Sequence, residues 1–293
     1  MTAHPDVDGA RAERESSPWW RSLNGDWSLR LWSSPDSVPD SAIGAAPPTG
    51  GWHTVAVPGN WTLQGLGDLP HYTNVMMPWP LRPPETPDHN TTGVYRRTFK
   101  VPREWRSRRV VLHVGGAESV HSVFVNGEFA GYGTDSRLPS EYDITECLRS
   151  GENTVAIVVS RYSAQSYIED QDQWWMAGIH REVFLEARAV VNIDRLHVNA
   201  DWDHTTSKAS LCLTAHIGAM RVKGTAAAIP DGLTVRAWVE TLAGRRLSKQ
   251  VSAPVASTHL VPYAFTGHIA TIEADVPRVA PWSAEEPNRY RVM

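Results

Sequence analysis

The dipeptide Asn126-Gly127, set between "SVFV" and "EFAGYG", constrains the fold more than any other feature of the chain. A two-residue type I′ turn needs positive φ at both central positions, which asparagine and glycine tolerate best, so this stretch predicts an antiparallel hairpin. The same pattern repeats around it. "WSLRLW" (27–32), "HTVAVP" (53–58), "VYRRTFKV" (94–101), "RVVLHVGG" (109–116) and "NTVAIVVSRYS" (153–163) are short β-type runs bounded by Gly, Pro, Asn and Asp. From residue 94 on they follow at intervals of about 10 to 20 residues, too closely for the crossover helices of a parallel sheet. Residues 19–188 are therefore expected to form an all-β sandwich of jelly-roll type.

Two stretches depart from this pattern. The first 18 residues are polar and charged and read as a poorly ordered N-terminal arm. Residues 59–92 are proline-rich with no clear period, the signature of a functional loop rather than a linker. From 189 onward "VNIDRLHVNADW", "KASLCLTAHIG", "LTVRAWVETLAG" and "GHIATIEADVP" alternate apolar and polar positions, as in an immunoglobulin-like β-sandwich. This second sandwich, 189–293, closes on "NRYRVM" with almost no final strand, so it is expected to be incomplete at its C-terminus.

Composition narrows the function. A net charge of -4 gives no basic footprint for nucleic acid, and Arg103, Arg106, Arg108 and Arg109 read as a local solvated cluster. No apolar run reaches the about 20 residues that span a bilayer, and "MTAHPDVDGARAERES" lacks a signal-peptide core, so the expected location is cytoplasmic. Cys147 and Cys212 match no ligand spacing. The 13 tryptophans suit sheet cores, interfaces and the stacking of sugar rings.

The chemistry concentrates in "SYIEDQDQWWMAGIHREV" (166–183), where Glu169, Asp170 and Asp172 precede two tryptophans. If the segment is extended, Asp170 and Asp172 face one side about 6.5 Å apart, near the spacing of an inverting glycosidase pair. A solvated loop with Asx-turns accounts for the same residues. So does a single oxygen ligand given to a shared cation site, since "EDQD" lacks the glycine and distal glutamate of a complete EF-hand loop. Ser136 and Ser140 have no nucleophile context, and His71, His89, His113 and His121 have no zinc spacing.

Several stretches, in order, resemble one family. "SLNGDWSLRLWSSPDSVP", "VPGNWTLQGLGDLPHYTNVMMPWPLRPPETPDHNTTGVYRRTF", "GYGTDSRLPSEYDIT", "SYIEDQDQWWMAGIHREVFL" and "PWSAEEPNRYRVM" are similar to the N-terminal region of the large bacterial β-galactosidases of glycoside hydrolase family 2. The resemblance implies a galactose-binding-like jelly roll, an immunoglobulin-like domain, a catalytic (β/α)₈ barrel and two further β domains. The implied reaction is retaining hydrolysis of terminal β-D-galactosides by two barrel glutamates, so no catalytic residue falls in this chain. Asn74 in "HYTNV" matches a galactose-contacting asparagine, and Asp172 matches an aspartate that binds galactose and ligates sodium. A magnesium site of some members is matched by Thr134 and Ala164, which are not its ligands; its other ligands lie mostly outside this chain. The partners so implied are a β-galactoside, the C-terminal catalytic domains and, for a full-length enzyme, further copies of itself. A carbohydrate-binding module acting alone is the alternative.

Overall fold

A computed structural model describes residues 2–74, 76–222, 225–259 and 266–293. The chain divides into two compact units, Trp19–Ala187 on the one hand and Met1–Pro18 with Arg188–Met293 on the other. Helix is confined, among the described residues, to α1 (Val7–Arg11), α2 (Asp40–Ile43), α3 (Ser166–Glu169) and a few 3₁₀ turns. Among the described residues no helix is long and apolar enough to cross a membrane.

The strands of the first unit begin with β1 (Trp20–Ser22), β2 (Gly25–Trp32), β3 (His53–Val57), β4 (Gly59–Asn60) and β5 (His71–Thr73). Then follow β6 (Thr92–Lys100), β7 (Arg109–Val114), β8 (Ala117–Glu118), β9 (Val120–Val125) and β10 (Glu128–Gly133). The last are β11 (Ser140–Asp143), β12 (Glu152–Ser160), β13 (Gln173–Trp175), β14 (Gly178–Ile179) and β15 (Val183–Arg188). A six-stranded sheet in the order β10-β9-β12-β6-β2-β3 belongs with a four-stranded one, β1-β15-β7-β11.

Period-2 alternation sends every second side chain into one core. Trp27 and Leu29, Val123 and Val125, and Val155, Ile157 and Val159 enter it from the larger sheet; Leu112, Val114, Val183 and Leu185 enter from the smaller. Trp61 and Trp105 fill the remaining volume and are almost wholly buried. On the outer face of the larger sheet, Ala42 of α2 packs against Val94 and Ala156. Arg96 Nη1 donates to the Ala42 carbonyl at 2.7 Å. The predicted hairpin is present: Asn126 and Gly127 have φ of 55° and 85°, and Val125 faces Glu128 across the turn.

The second unit is an immunoglobulin-like β-sandwich. Val191–Asp203 pairs with Lys208–Ala219, which pairs with Thr266–Val276, all antiparallel. Thr234–Ala237 pairs with Val251–Pro254, and Val239–Thr241 with Tyr290–Val292. Leu213, Ala215, Val235, Ala237, Ala270 and Ile272 form its core.

Within the N-terminal arm the structure has one short helix, α1. Asp6 caps α1 by accepting from the Gly9 amide at 2.7 Å, and Arg11 at its end donates through Nε and Nη2 to Glu240 at 2.9 Å each. Glu240 is fully buried and also takes bonds from Trp238 and Arg291. A buried carboxylate must be paired, and Arg11 supplies the pairing, so the polar composition of this segment serves a tether.

Candidate functional site

The proline-rich residues between β4 and β6 are held against the segment that follows β12. At the base of this loop Asp68 accepts from Trp61 Nε1 at 2.7 Å and from the buried Arg161, whose Nη2 also donates to the Leu69 carbonyl at 2.8 Å. Farther along, Trp79 Nε1 donates to the Tyr167 hydroxyl at 2.9 Å, which donates to the Glu85 carbonyl at 2.7 Å. The Trp79 ring meets Tyr162 edge-on at 4.6 Å between centroids, and Tyr162 meets Trp175 at 5.9 Å. Asn90 closes the end of the loop by exchanging two 2.9 Å bonds with the Tyr162 backbone. A long loop fixed by its own aromatic side chains can hold functional groups in place.

β5 and β13 are the outcome. They pair antiparallel with Gln173 opposite Thr73, Trp174 opposite Tyr72 and Trp175 opposite His71. Alternation then sorts the faces: Trp175 turns inward and bonds Thr73 Oγ1 at 2.7 Å, while Tyr72 and Trp174 turn outward, 47% and 57% exposed. Their rings lie 5.7 Å apart and tilted. The Tyr72 hydroxyl donates to Asp172 Oδ1. That bond holds the Tyr72 phenol above its ordinary value, desolvation and the Asp172 charge add to it, and the Asn74 side chain, acting on the same hydroxyl, opposes it.

The structure thus brings Asn74 and Asp172, 98 positions apart in sequence, to one tyrosine on an open surface. Tyr72 and Trp174 carry no sequence signal of their own. Tyr72 could have been found only by placing Asn74 and Asp172 on paired strand ends, a tertiary fact.

The three carboxylates of "EDQD" go separate ways. Glu169, at the end of α3, accepts from the Ser136 amide at 2.8 Å and from the Ser136 hydroxyl at 2.5 Å. Asp170 is half-buried, and its Oδ1 has no hydrogen-bond partner among the described residues. Asp172 alone is exposed. Asp170 and Asp172, the two that an extended segment would align, differ in setting: Asp170 follows the end of α3 and is half-buried, while Asp172 stands exposed just before β13.

Behind the site Glu118 is buried, which pushes its carboxyl up, while Arg137 at 3.2 Å pulls it down. Glu118 Oε1 accepts from the Met176 amide at 3.2 Å, fixing the chain just after β13. Burial pushes His121 and His180 down to about 4; His121 bonds the Tyr142 hydroxyl at 2.7 Å. Both rings are structural groups.

An exposed carboxylate, an amide and two aromatic faces are suited to a polyhydroxylated ligand, with charge-assisted bonds to hydroxyls and apolar contact with ring carbons. Among the described residues no group of three His, Cys, Asp or Glu is disposed around a metal. Asp172 fits a cation only as one hard oxygen of a shell completed elsewhere.

Comparisons with known proteins bear on the family. The sequence model described as "Glycosyl hydrolases family 2, sugar binding domain" matches residues 20–189. A β-galactosidase of Psychromonas ingrahamii is 33% identical over 284 residues, 97% of this chain and 26% of that protein. A β-galactosidase of Pectobacterium atrosepticum is 35% identical over 306 residues, 100% of this chain and 28% of that protein. The chain thus spans about a quarter of the length of these relatives. Among solved structures, a Bifidobacterium dentium β-glucuronidase superposes with a TM-score of 0.69 at 19% identity, over 93% of this chain and 44% of that one. The chain belongs to glycoside hydrolase family 2, and its first unit is that family's sugar-binding domain.

Proposed function

We propose that the chain is the substrate-contacting N-terminal part of a β-galactosidase. Asn74 and Asp172 hold the terminal galactose, and the two glutamates of a retaining mechanism lie in a catalytic barrel outside these 293 residues. The observation that carries this reading is the pairing of β5 with β13, which gathers Asn74, Asp172, Tyr72 and Trp174 on one exposed face. The names of the relatives supply the sugar.

In this reading Asp172 accepts hydrogen bonds from galactose hydroxyls and gives one oxygen to a sodium ion whose other ligands come from the rest of the enzyme. Bound sodium supplies a fixed positive charge that orients the sugar. The chain's own part is to bind and position. Tyr72, bonded to Asp172 Oδ1, restricts the carboxylate to one rotamer, so less ordering entropy is lost when sugar arrives.

The purified chain is expected to show no turnover of a chromogenic β-galactoside. Hydrolysis that persists in Asp172→Ala and after removal of contaminating enzyme contradicts the assignment of the chemistry.

A carbohydrate-binding module acting alone is the second reading. It is favoured by a cavity of about 760 Å³ on the larger sheet, where Trp52 is joined by Asp26, Arg97, Glu152 and Thr154. Titration calorimetry with galactose or lactose separates the two: the first reading expects no saturable heat from the chain alone, the second expects it.

A further inference from the structure

The arginine cluster that reads in sequence as a solvated loop has a different setting in three dimensions. Arg103, Arg106 and Arg108 surround a cavity of about 470 Å³ that also receives Lys100 from the end of β6 and Arg149 from the turn before β12. Five cations line it and no carboxylate does. The nearly buried Trp105 and the aliphatic side chains of Val101 and Leu148 form its apolar part.

The cations are only weakly neutralised. Among the described residues Lys100, Arg103 and Arg106 form no ion pair, and the contact of Arg149 with Glu128 is 3.9 Å long with both side chains more than half exposed. Arg108 lies with its guanidinium 3.3 Å from the centre of the Trp19 ring and donates to the Ala187 carbonyl at 3.4 Å, so it is held in place without losing its charge. Arg21 donates to the Lys100 carbonyl at 2.8 Å. Like charges repel, and gathering them around one concavity raises a positive potential that low-dielectric walls focus. Guanidinium forks match the tetrahedral oxyanions of phosphate and sulfate, and several forks favour a ligand with more than one such group.

We propose that this cavity is a binding site for a small polyanion carrying two or more phosphate or sulfate groups, separate from the Asn74–Asp172 surface. Its five lining cations come from two sequence segments, 100–108 and the turn at 149, which the β6–β12 pairing brings together through Lys100 opposite Glu152.

The test is titration calorimetry of the full chain at low ionic strength with tripolyphosphate and, separately, sucrose octasulfate. Competition by inorganic phosphate and by inorganic sulfate at matched ionic strength identifies the oxyanion. Saturable binding is expected, weakened about tenfold or more in Arg103→Gln/Arg106→Gln/Arg149→Gln and unchanged in the control Lys208→Gln/Arg245→Gln/Lys249→Gln, which removes the same charge elsewhere. Retention of the wild-type thermal transition shows that the variants fold. Absence of saturable binding to either anion, or equal weakening in both triple variants, overturns the proposal.

Discussion

Tyr72 joins the two residues expected to contact sugar, and its phenol reports on both. Because the hydrogen bond to Asp172 is the main cause of its raised titration, Asp172→Asn should move the Tyr72 midpoint down toward the ordinary tyrosine value. Carbon-13 NMR of ring-labelled tyrosine, assigned with Tyr72→Phe, reads this directly. Glu240 makes a second residue-level prediction. Its bonds from Arg11 hold the carboxyl down to about 2 against an ordinary 4.5. A depressed folded value stabilises the protein fully above pH 4.5, and that contribution is lost as the pH falls toward 2. Arg11→Gln should therefore lower the melting temperature at pH 7 and flatten the acid limb of the stability profile, seen in melts from pH 7 to pH 2.

Elements explain why part of this fold is legible and part is not. The Asn126-Gly127 turn was readable because positive φ at two adjacent residues has few sequence solutions. In the structure Asn126 does more than turn the chain: Nδ2 donates to the Cys147 carbonyl and to Asn153 Oδ1 at 2.8 Å each, and Oδ1 accepts from the Thr154 amide at 3.0 Å. Asn126→Ala loses these bonds and keeps a positive φ, so urea denaturation should show a loss of about 2 to 3 kcal/mol. The long loop was recognisable as a loop, but its anchors were not, since Asp68 and Arg161 lie 93 positions apart. Arg161→Gln leaves Asp68 with its charge uncompensated, and a loss of about 3 to 5 kcal/mol is expected in the same assay. The acidic stretch left three readings open because spacing alone does not tell burial: Glu169 is bound to Ser136, Asp170 is half-buried and Asp172 is exposed.

At the scale of the molecule, alternation and turn chemistry carried the all-β class, and the ordered motifs carried the family. The N-terminal segment shows what composition leaves out. Its charge suggested solvation, while Arg11 is the counterion of Glu240, a partner 229 residues away that no local pattern reveals. Asn74 and Asp172 entered through resemblance, and in the structure the antiparallel pairing of β5 with β13 brings both to Tyr72. The most direct measurement is a chimera in which this chain replaces the matched N-terminal quarter of one of its β-galactosidase relatives, assayed beside that relative truncated at the same point. The account predicts that the chimera hydrolyses a nitrophenyl β-galactoside where the truncated enzyme does not, and that Asp172→Ala lowers its kcat/KM by about 10- to 100-fold, the value of one or two charge-assisted hydrogen bonds to the sugar. A chimera no more active than the truncated enzyme, or an Asp172→Ala chimera as active as its parent, would contradict it.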